Sequence, residues 1–272
     1  MAMGLGRSLR LIGDTNPRAI VTDVEGYDWS RYFDQVIKPT GKRSALDKLK
    51  ALDTTDADQI LSLDADMLAF KRLDDIFSYC EGKPFAVQGF MRTEGSFHGV
   101  GVSELLSKLR VDQFPKFNGG LAYYERTPKY MELLASMIEA ENNYDKLGFE
   151  WFRGAVSEEV CMAMAMVKRG YYEFIPPEKQ FQHSAAGLVG RLNLDVSRGE
   201  CSFVARQERA ELCQPYVFHA WRYKDFLIYW RELKKLERIE QFEDRYPNMY
   251  ISQRDRWIRS LHRRILKARG LL

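Results

Sequence analysis

The sequence contains no pair of cysteines spaced C-x-x-C. Its four cysteines, Cys80, Cys161, Cys201 and Cys213, are scattered, so neither a zinc knuckle nor a disulfide framework is written in it, and reduced, mostly buried thiols are expected. Long apolar runs are missing too: the longest, Val160 to Val167, spans eight residues, against the roughly 20 that a membrane-spanning helix needs. Residues Met1 to Gly13 hold two arginines and no continuous apolar stretch, so no secretory leader is expected and the cytosol is the expected compartment. The strings G-x-x-x-x-G-K-[ST], H-E-x-x-H and G-x-S-x-G do not occur, and Gly4-Leu5-Gly6 follows no strand and lacks a third glycine. P-loop, metalloprotease, α/β-hydrolase and Rossmann dinucleotide chemistry are thereby disfavoured.

What is present is enough for a full core: 272 residues, 45% hydrophobic and 29% charged, which fits one large domain with or without an appendage. The net charge of +3 is unevenly spread. Residues 254–272 carry seven Lys or Arg and one Asp, a surplus of six, so the preceding 253 residues sum to −3. A mildly acidic body with a basic tail is not the uniformly basic surface of a nucleic-acid binder, and no nucleic-acid partner is expected.

Short apolar runs at Arg18–Thr22 and Gln59–Leu63, with weaker ones at Phe85–Val87 and Gly120–Tyr124, read as buried strands. Helical patterns lie at Met3–Leu11, at Ser44–Leu52 (Leu46, Leu49 and Leu52 at i, i+3, i+6), at Pro128–Glu141 and at Ser157–Arg169. Strands alternating with helices predict an α/β fold with a mainly parallel mixed sheet flanked by helices. The glycine-bearing stretch Arg92–Gln113 reads as a long loop leading into a short helix, a length that is more often functional than idle. Beyond Lys224 the chain changes character: Trp230–Asp244 is a charged amphipathic helix, Pro247 interrupts it, and Gln253–Arg269 forms a second, basic one. A division into a domain at 1–225 and a helical basic extension at 226–272 follows. The tail helix aligns Trp257, Leu261, Ile265 and Ala268 on one face with arginines elsewhere, so residues 254–272 can rest on an anionic membrane or pack on protein.

Two D-x-D strings occur, Asp56-Ala57-Asp58 and Asp64-Ala65-Asp66, and the composition of 18 Asp in 272 residues would supply about one by chance. Position separates them. Asp64 directly follows the apolar strand Ile60–Leu63, and ligands of α/β sheets gather beyond the carboxyl ends of strands. Two hard oxygen ligands there can hold Mg²⁺ or Mn²⁺ against a diphosphate, or they can simply cap a turn. On the residues alone, His219 between Phe218 and Trp221 equally reads as a core histidine, Lys48 and Lys224 as solvated lysines, and Asn118 as a turn anchor.

Three stretches together resemble one family. Lys48–Leu68 with Leu73–Phe77 looks like the donor-binding core of GT-A glycosyltransferases, especially the glycogenin and galactinol-synthase-like group. Phe117–Tyr124 (FNGGLAYY) is similar to that family's F-N-S-G strand, and Tyr216–Lys224 (YVFHAWRYK) to its late histidine motif. The resemblance covers roughly residues 3–225. It implies a GT-A-like fold and transfer of a sugar from a nucleoside diphosphate donor, UDP-linked, to an unknown acceptor. Asp64, Asp66 and His219 would hold the metal, and an imidazole beside two carboxylates favours Mn²⁺ over Mg²⁺. Lys48, Asp64 and Lys224 would touch the donor, with Asn118, Gly119 and Gly120 near its sugar. Where the family has Asp-Gln, this chain has Glu158-Glu159; Glu158 would hold the acceptor or act as base, or both acids serve a Ser157-capped helix start. The family's first strand should precede Met3–Leu11, where two residues are available; either the chain begins downstream of the usual start or the sheet lacks that strand. Alternative readings are a nucleotidyltransferase and a non-catalytic nucleotide-sugar-binding protein.

Overall fold

The computed structural model describes residues 1–39, 44–152, 154–206, 210–221 and 227–245, with Arg264 and Lys267. Lys224 and nearly all of the basic tail, the two other residues excepted, therefore lie outside the described residues. Helix α1 (Ala2–Leu11) opens the chain, so no described strand precedes it. Strand β1 (Ala19–Val21) runs parallel to β2 (Gln35–Ile37) in a two-stranded sheet. A 3-10 helix (Asp47–Asp53) leads to β3 (Gln59–Leu63), β4 (Met67–Ala69) and α2 (Asp74–Cys80). Then come β5 (Phe85–Arg92), the hairpin β6 (Ser96–Phe97) and β7 (Val100–Gly101), α3 (Val102–Leu109) and the long β8 (Phe114–Glu125). Helices α4 (Pro128–Asn142), α5 (Tyr144–Leu147) and α6 (Glu158–Arg169) follow. The remainder consists of β9 (Phe174–Ile175), β10 (Gln182–His183), the meander β11 (Leu188–Asp195), β12 (Glu200–Arg206) and β13 (Ala210–Cys213), then β14 (Val217–His219) and α7 (Leu227–Arg245).

The molecule is mixed α/β, but its sheets are not mainly parallel. The central sheet has the order β3-β8-β5-β9, and β8 runs antiparallel to both neighbours. Among the described residues only the pairs β1–β2, β5–β9 and β10–β14 are parallel. The alternation of strands and helices misleads here because the twelve-residue β8 returns between β3 and β5, which no local pattern announces.

Side chains alternate across the central sheet as the pleat requires. Phe85, Val87, Ala122 and Tyr124 face α4 and α6 in one core, while Ala86, Leu121 and Tyr123 face α1, α2 and β4 in another. Burial on both faces explains why β8 reads as a near-continuous apolar run. Two other expected buried strands differ. Strand β3 is the sheet's edge and each of its residues is half-buried, and β1 leaves Val21 38% exposed because only β2 pairs with it. The Ser44–Leu52 helix is a 3-10 helix over Asp47–Asp53. Spacing at i, i+3 is the repeat of a three-residue turn, and it buries Leu46 and Leu49 completely.

Helix α7 lays Tyr229, Glu232, Leu236 and Glu240 against the body. Its two buried acids are paired: Glu232 accepts from the Val196 N–H at 3.0 Å and from Lys235 at 2.9 Å, while Glu240 meets Arg7 at 2.7 Å, Arg31 at 2.9 Å and the Tyr32 hydroxyl at 2.6 Å. Buried carboxylates persist only with such partners. All four cysteines are free and buried, and burial pushes the Cys80 and Cys161 thiols up to about 12 and raises Cys201 and Cys213 as well. Thiolate is the reactive form, so the native protein should give no thiol titre with Ellman's reagent at pH 8 and four equivalents after denaturation; rapid labelling of the native chain would contradict this packing.

Candidate metal centre and its cavity

The site is built around an irregularity in β8. On β5, Val87 pairs with Ala122 and Gly89, two residues on, pairs with Phe117, five residues back along β8. Asn118 to Leu121 thus bulge from the ladder with β5. Backbone groups released this way must find other partners. Glu159 Oε1 accepts the Gly119 N–H at 2.8 Å, and Asn118 Oδ1 accepts the Gly120 N–H at 2.9 Å. Lys48 Nζ donates to Gly119 O at 2.9 Å, the Asp64 N–H to Gly120 O at 2.8 Å, and Gln182 Nε2 to Asn118 O at 2.8 Å.

Asp64 and Asp66 occupy the turn between β3 and β4, and the antiparallel register of β14 with β4 sets His219 opposite Met67. Three ligand atoms, one each from Asp64, Asp66 and His219, consequently lie within 4.8 Å of one another. His219 Nε2 is 3.2 Å from Asp66 Oδ1 and 3.6 Å from Asp64 Oδ2. Its other nitrogen, Nδ1, is 3.3 Å from Asn118 Oδ1. An amide oxygen only accepts, and this one already accepts the Gly120 N–H, so Nδ1 carries a hydrogen toward it and Nε2 is the ring atom that faces the two carboxylates. The three side chains converge in a largely buried corner with room for one cation to be shared among their ligand atoms. The donor set, two carboxylate oxygens and one imidazole, suits a divalent cation. Gly120 is required here, since a Cβ would stand 2.8 Å from His219 Nδ1 and 2.9 Å from Asn118 Oδ1.

Lys48 lies behind this group. Its ammonium donates to Asp64 Oδ1 at 2.8 Å, to Gly119 O, and to Glu158 Oε1 at 3.3 Å. Burial works against its charge, but the Asp64 and Glu158 carboxylates outweigh burial and hold its pKa above the ordinary lysine value. All three N–H groups are used within the site. Glu158 and Glu159 begin α6, yet Ser157 makes no side-chain cap; its hydroxyl lies 3.4 Å from His98 Nε2. Glu159 is opposed by burial, but the hydrogen bonds from His98 and the Gly119 N–H, with the charge of Lys116, keep it below the usual carboxylate range.

Asp64, Asp66, Asn118, Gly120, Glu158, Glu159 and His219 all line one cavity of about 490 Å³, with Lys48 and Gly119 just behind its wall. Lys224 falls outside the described residues. Three further side chains on the wall, His98, Gln182 and His183, were not singled out by sequence. His98 had a signal, a histidine among the glycines of the long Arg92–Gln113 stretch. Gln182 and His183 had none, because β10 is only two residues long. No family model matches the chain, and no curated protein matches it.

The arrangement makes Asn118 an orienting group for His219. Removing such a partner usually lowers metal affinity by about 10–100-fold. Asn118→Ala should therefore weaken Mn²⁺ binding by that factor in isothermal titration calorimetry with far-ultraviolet circular dichroism unchanged, and Gly120→Ala should do the same by displacing the ring. Unaltered Mn²⁺ affinity in both variants would remove His219 from the metal group.

Proposed function

We propose that this chain is a metal-dependent glycosyltransferase of GT-A-like architecture, acting in the cytosol, which moves a sugar from a UDP-linked donor to an acceptor. The observation that carries the reading is the meeting of three distant segments, around residues 64–66, 118–120 and 219, at one corner of one cavity. Asp64, Asp66 and His219 would hold Mn²⁺ or Mg²⁺. A divalent cation there supplies Lewis-acid stabilisation of the charge that develops on a departing diphosphate.

The chain's own residues do the rest. Asn118 fixes the His219 ring, and the glycines at 119 and 120 let backbone approach a sugar closely. Lys48 compensates the carboxylates of Asp64 and Glu158, so the corner is not left with uncancelled negative charge. Glu159, held ionised and clamped by the Gly119 N–H, offers Oε2 as a hydrogen-bond acceptor for a hydroxyl. A carboxylate so placed can orient an incoming nucleophile or take its proton.

Donor hydrolysis tests the reading without knowledge of the acceptor. With Mn²⁺, the wild-type chain should release sugar from one of a panel of UDP-sugars, followed by chromatography of UDP. Asp66→Asn should cut that rate by ~100-fold or more, since a Lewis-acid site is worth several kcal/mol. Asp58→Asn, at a side chain 90% exposed on the other D-x-D string, should leave it unchanged. Equal losses at both positions, or none at Asp66, would defeat the assignment.

A further inference from the structure

Residues 19–39 form a unit that the rest of the described fold leaves half-open. Tyr32 and Phe33 moor it, buried close to Gly6 of α1, and Gln35 Nε2 donates to Thr54 O at 3.3 Å. Its sheet has only the two strands β1 and β2, too few to be stable without packing against something else, yet Val21 and Val36 are 38% and 45% exposed. The opening continues in the connection between the strands. Val24 and Tyr27 are 50% and 54% exposed. The Trp29 ring lies 5.3 Å from that of Tyr27, and its Nε1 donates to Val24 O at 3.1 Å. These three residues therefore make one apolar surface rather than scattered exposed side chains. Charge of one sign rims it. Glu25, Asp28 and Asp34 are exposed; Lys38 answers only Glu25, at 3.4 Å, and Arg31 is drawn away to Glu240 and Asp244.

Helix α7 delivers a complementary segment to this place. Asp244, in its last turn, pairs with Arg31 of the 3-10 turn Trp29–Arg31, so the chain leaves α7 beside Trp29. Among the 27 residues beyond Arg245, Trp257, Leu261 and Ile265 recur at spacings of four, with Arg254, Arg256 and Arg259 around the first of them. Arg264 and Lys267, farther along, are exposed, which leaves the pairing to the arginines nearer α7. Residues 246–253 can span about 28 Å when extended, against roughly 6 Å for one 3-10 turn. A short tether holds two surfaces together at an effective concentration of about a millimolar, which a second copy would have to match in solution. An anionic bilayer reached from the same point would have Glu25, Asp28 and Asp34 pressed toward it, and like charges repel.

We propose that residues 254–272 dock on the body of their own chain, with Trp257, Leu261 and Ile265 covering Val24, Tyr27 and Trp29, and Arg254, Arg256 and Arg259 meeting Glu25, Asp28 and Asp34. The contact covers the open unit at 19–39 and removes the apolar positions of the tail from water. Neither donor nor metal enters it, so it stands apart from the glycosyltransferase reading.

The test is limited trypsin digestion of the full chain at physiological salt, with loss of the tail followed by mass spectrometry. At an effective concentration of about a millimolar, a contact of ~100 μM affinity leaves the tail undocked about one-tenth of the time, so its removal should speed tail cleavage about tenfold. Val24→Ser with Tyr27→Ser, and separately Glu25→Gln with Asp28→Asn, should each do this. All four side chains are exposed, so the variants should fold, and Leu212→Ser, at a 60% exposed position on β13, should be cleaved as wild type. Cysteine pairing locates the contact, since the native thiols are all buried. Tyr27→Cys with Leu261→Cys should close a disulfide within one chain under a mild oxidant, and Leu212→Cys with Leu261→Cys should not. Cleavage indifferent to both patch variants, a disulfide formed only between two chains, or sedimentation of the wild type with phosphatidylserine vesicles at the same salt would each overturn the proposal.

Discussion

The site depends on a requirement of backbone hydrogen bonding. Where β8 bulges away from β5, the amides and carbonyls of residues 118–120 lose their ladder partners. A buried peptide group left alone costs about 1–3 kcal/mol. The molecule meets that cost with the side chains of Lys48, Asn118, Glu159 and Gln182 and with the Asp64 amide. Each of these groups is thereby fixed in place by what it does for the bulge. The corner of Asp64, Asp66 and His219 inherits the rigidity: Asn118, held by Gly120, orients His219, and Asp64, held by Gly120 O, faces it across the turn. Preorganisation of this kind separates a site from a chance cluster of acids.

Electrostatics ties the same groups to one another. Lys48 offsets Asp64 and Glu158, His98 with the Gly119 amide supports Glu159, and Asp64 and Asp66 share His219 Nε2 as a close neighbour. A cation held there, as proposed, would lower the free energy of the folded chain, so metal binding and stability would be linked.

How much of this was legible in the sequence can be judged from particular residues. Asp64 and Asp66 stood out because a strand ended at Leu63, and His219, Asn118 and Lys48 through the resemblance of their surrounding segments; all five meet in the structure. The bulge was invisible, since FNGGLAYY reads as a strand and register is a property of two strands together. With it went the partners of Glu159 and the role of Gln182. Leu46 and Leu49 carried the correct face but the wrong helix, as a spacing of three serves both an α-helix and a 3-10 turn. Strand direction failed for the reason that β8 pairs on both sides with strands distant in sequence. The Ser157 cap that the sequence allowed is absent, because the hydroxyl lies beside His98 instead of over the helix end.

The most direct measurement is pulsed electron–nuclear double resonance on Mn²⁺ bound to the full chain in the presence of UDP. The account requires a Mn²⁺ that couples at once to the nitrogen of a single imidazole and to phosphorus of the diphosphate, with the nitrogen coupling lost in His219→Ala and the phosphorus coupling retained. A spectrum showing only hydrated Mn²⁺, or phosphorus coupling with no protein nitrogen in the wild type, would contradict it.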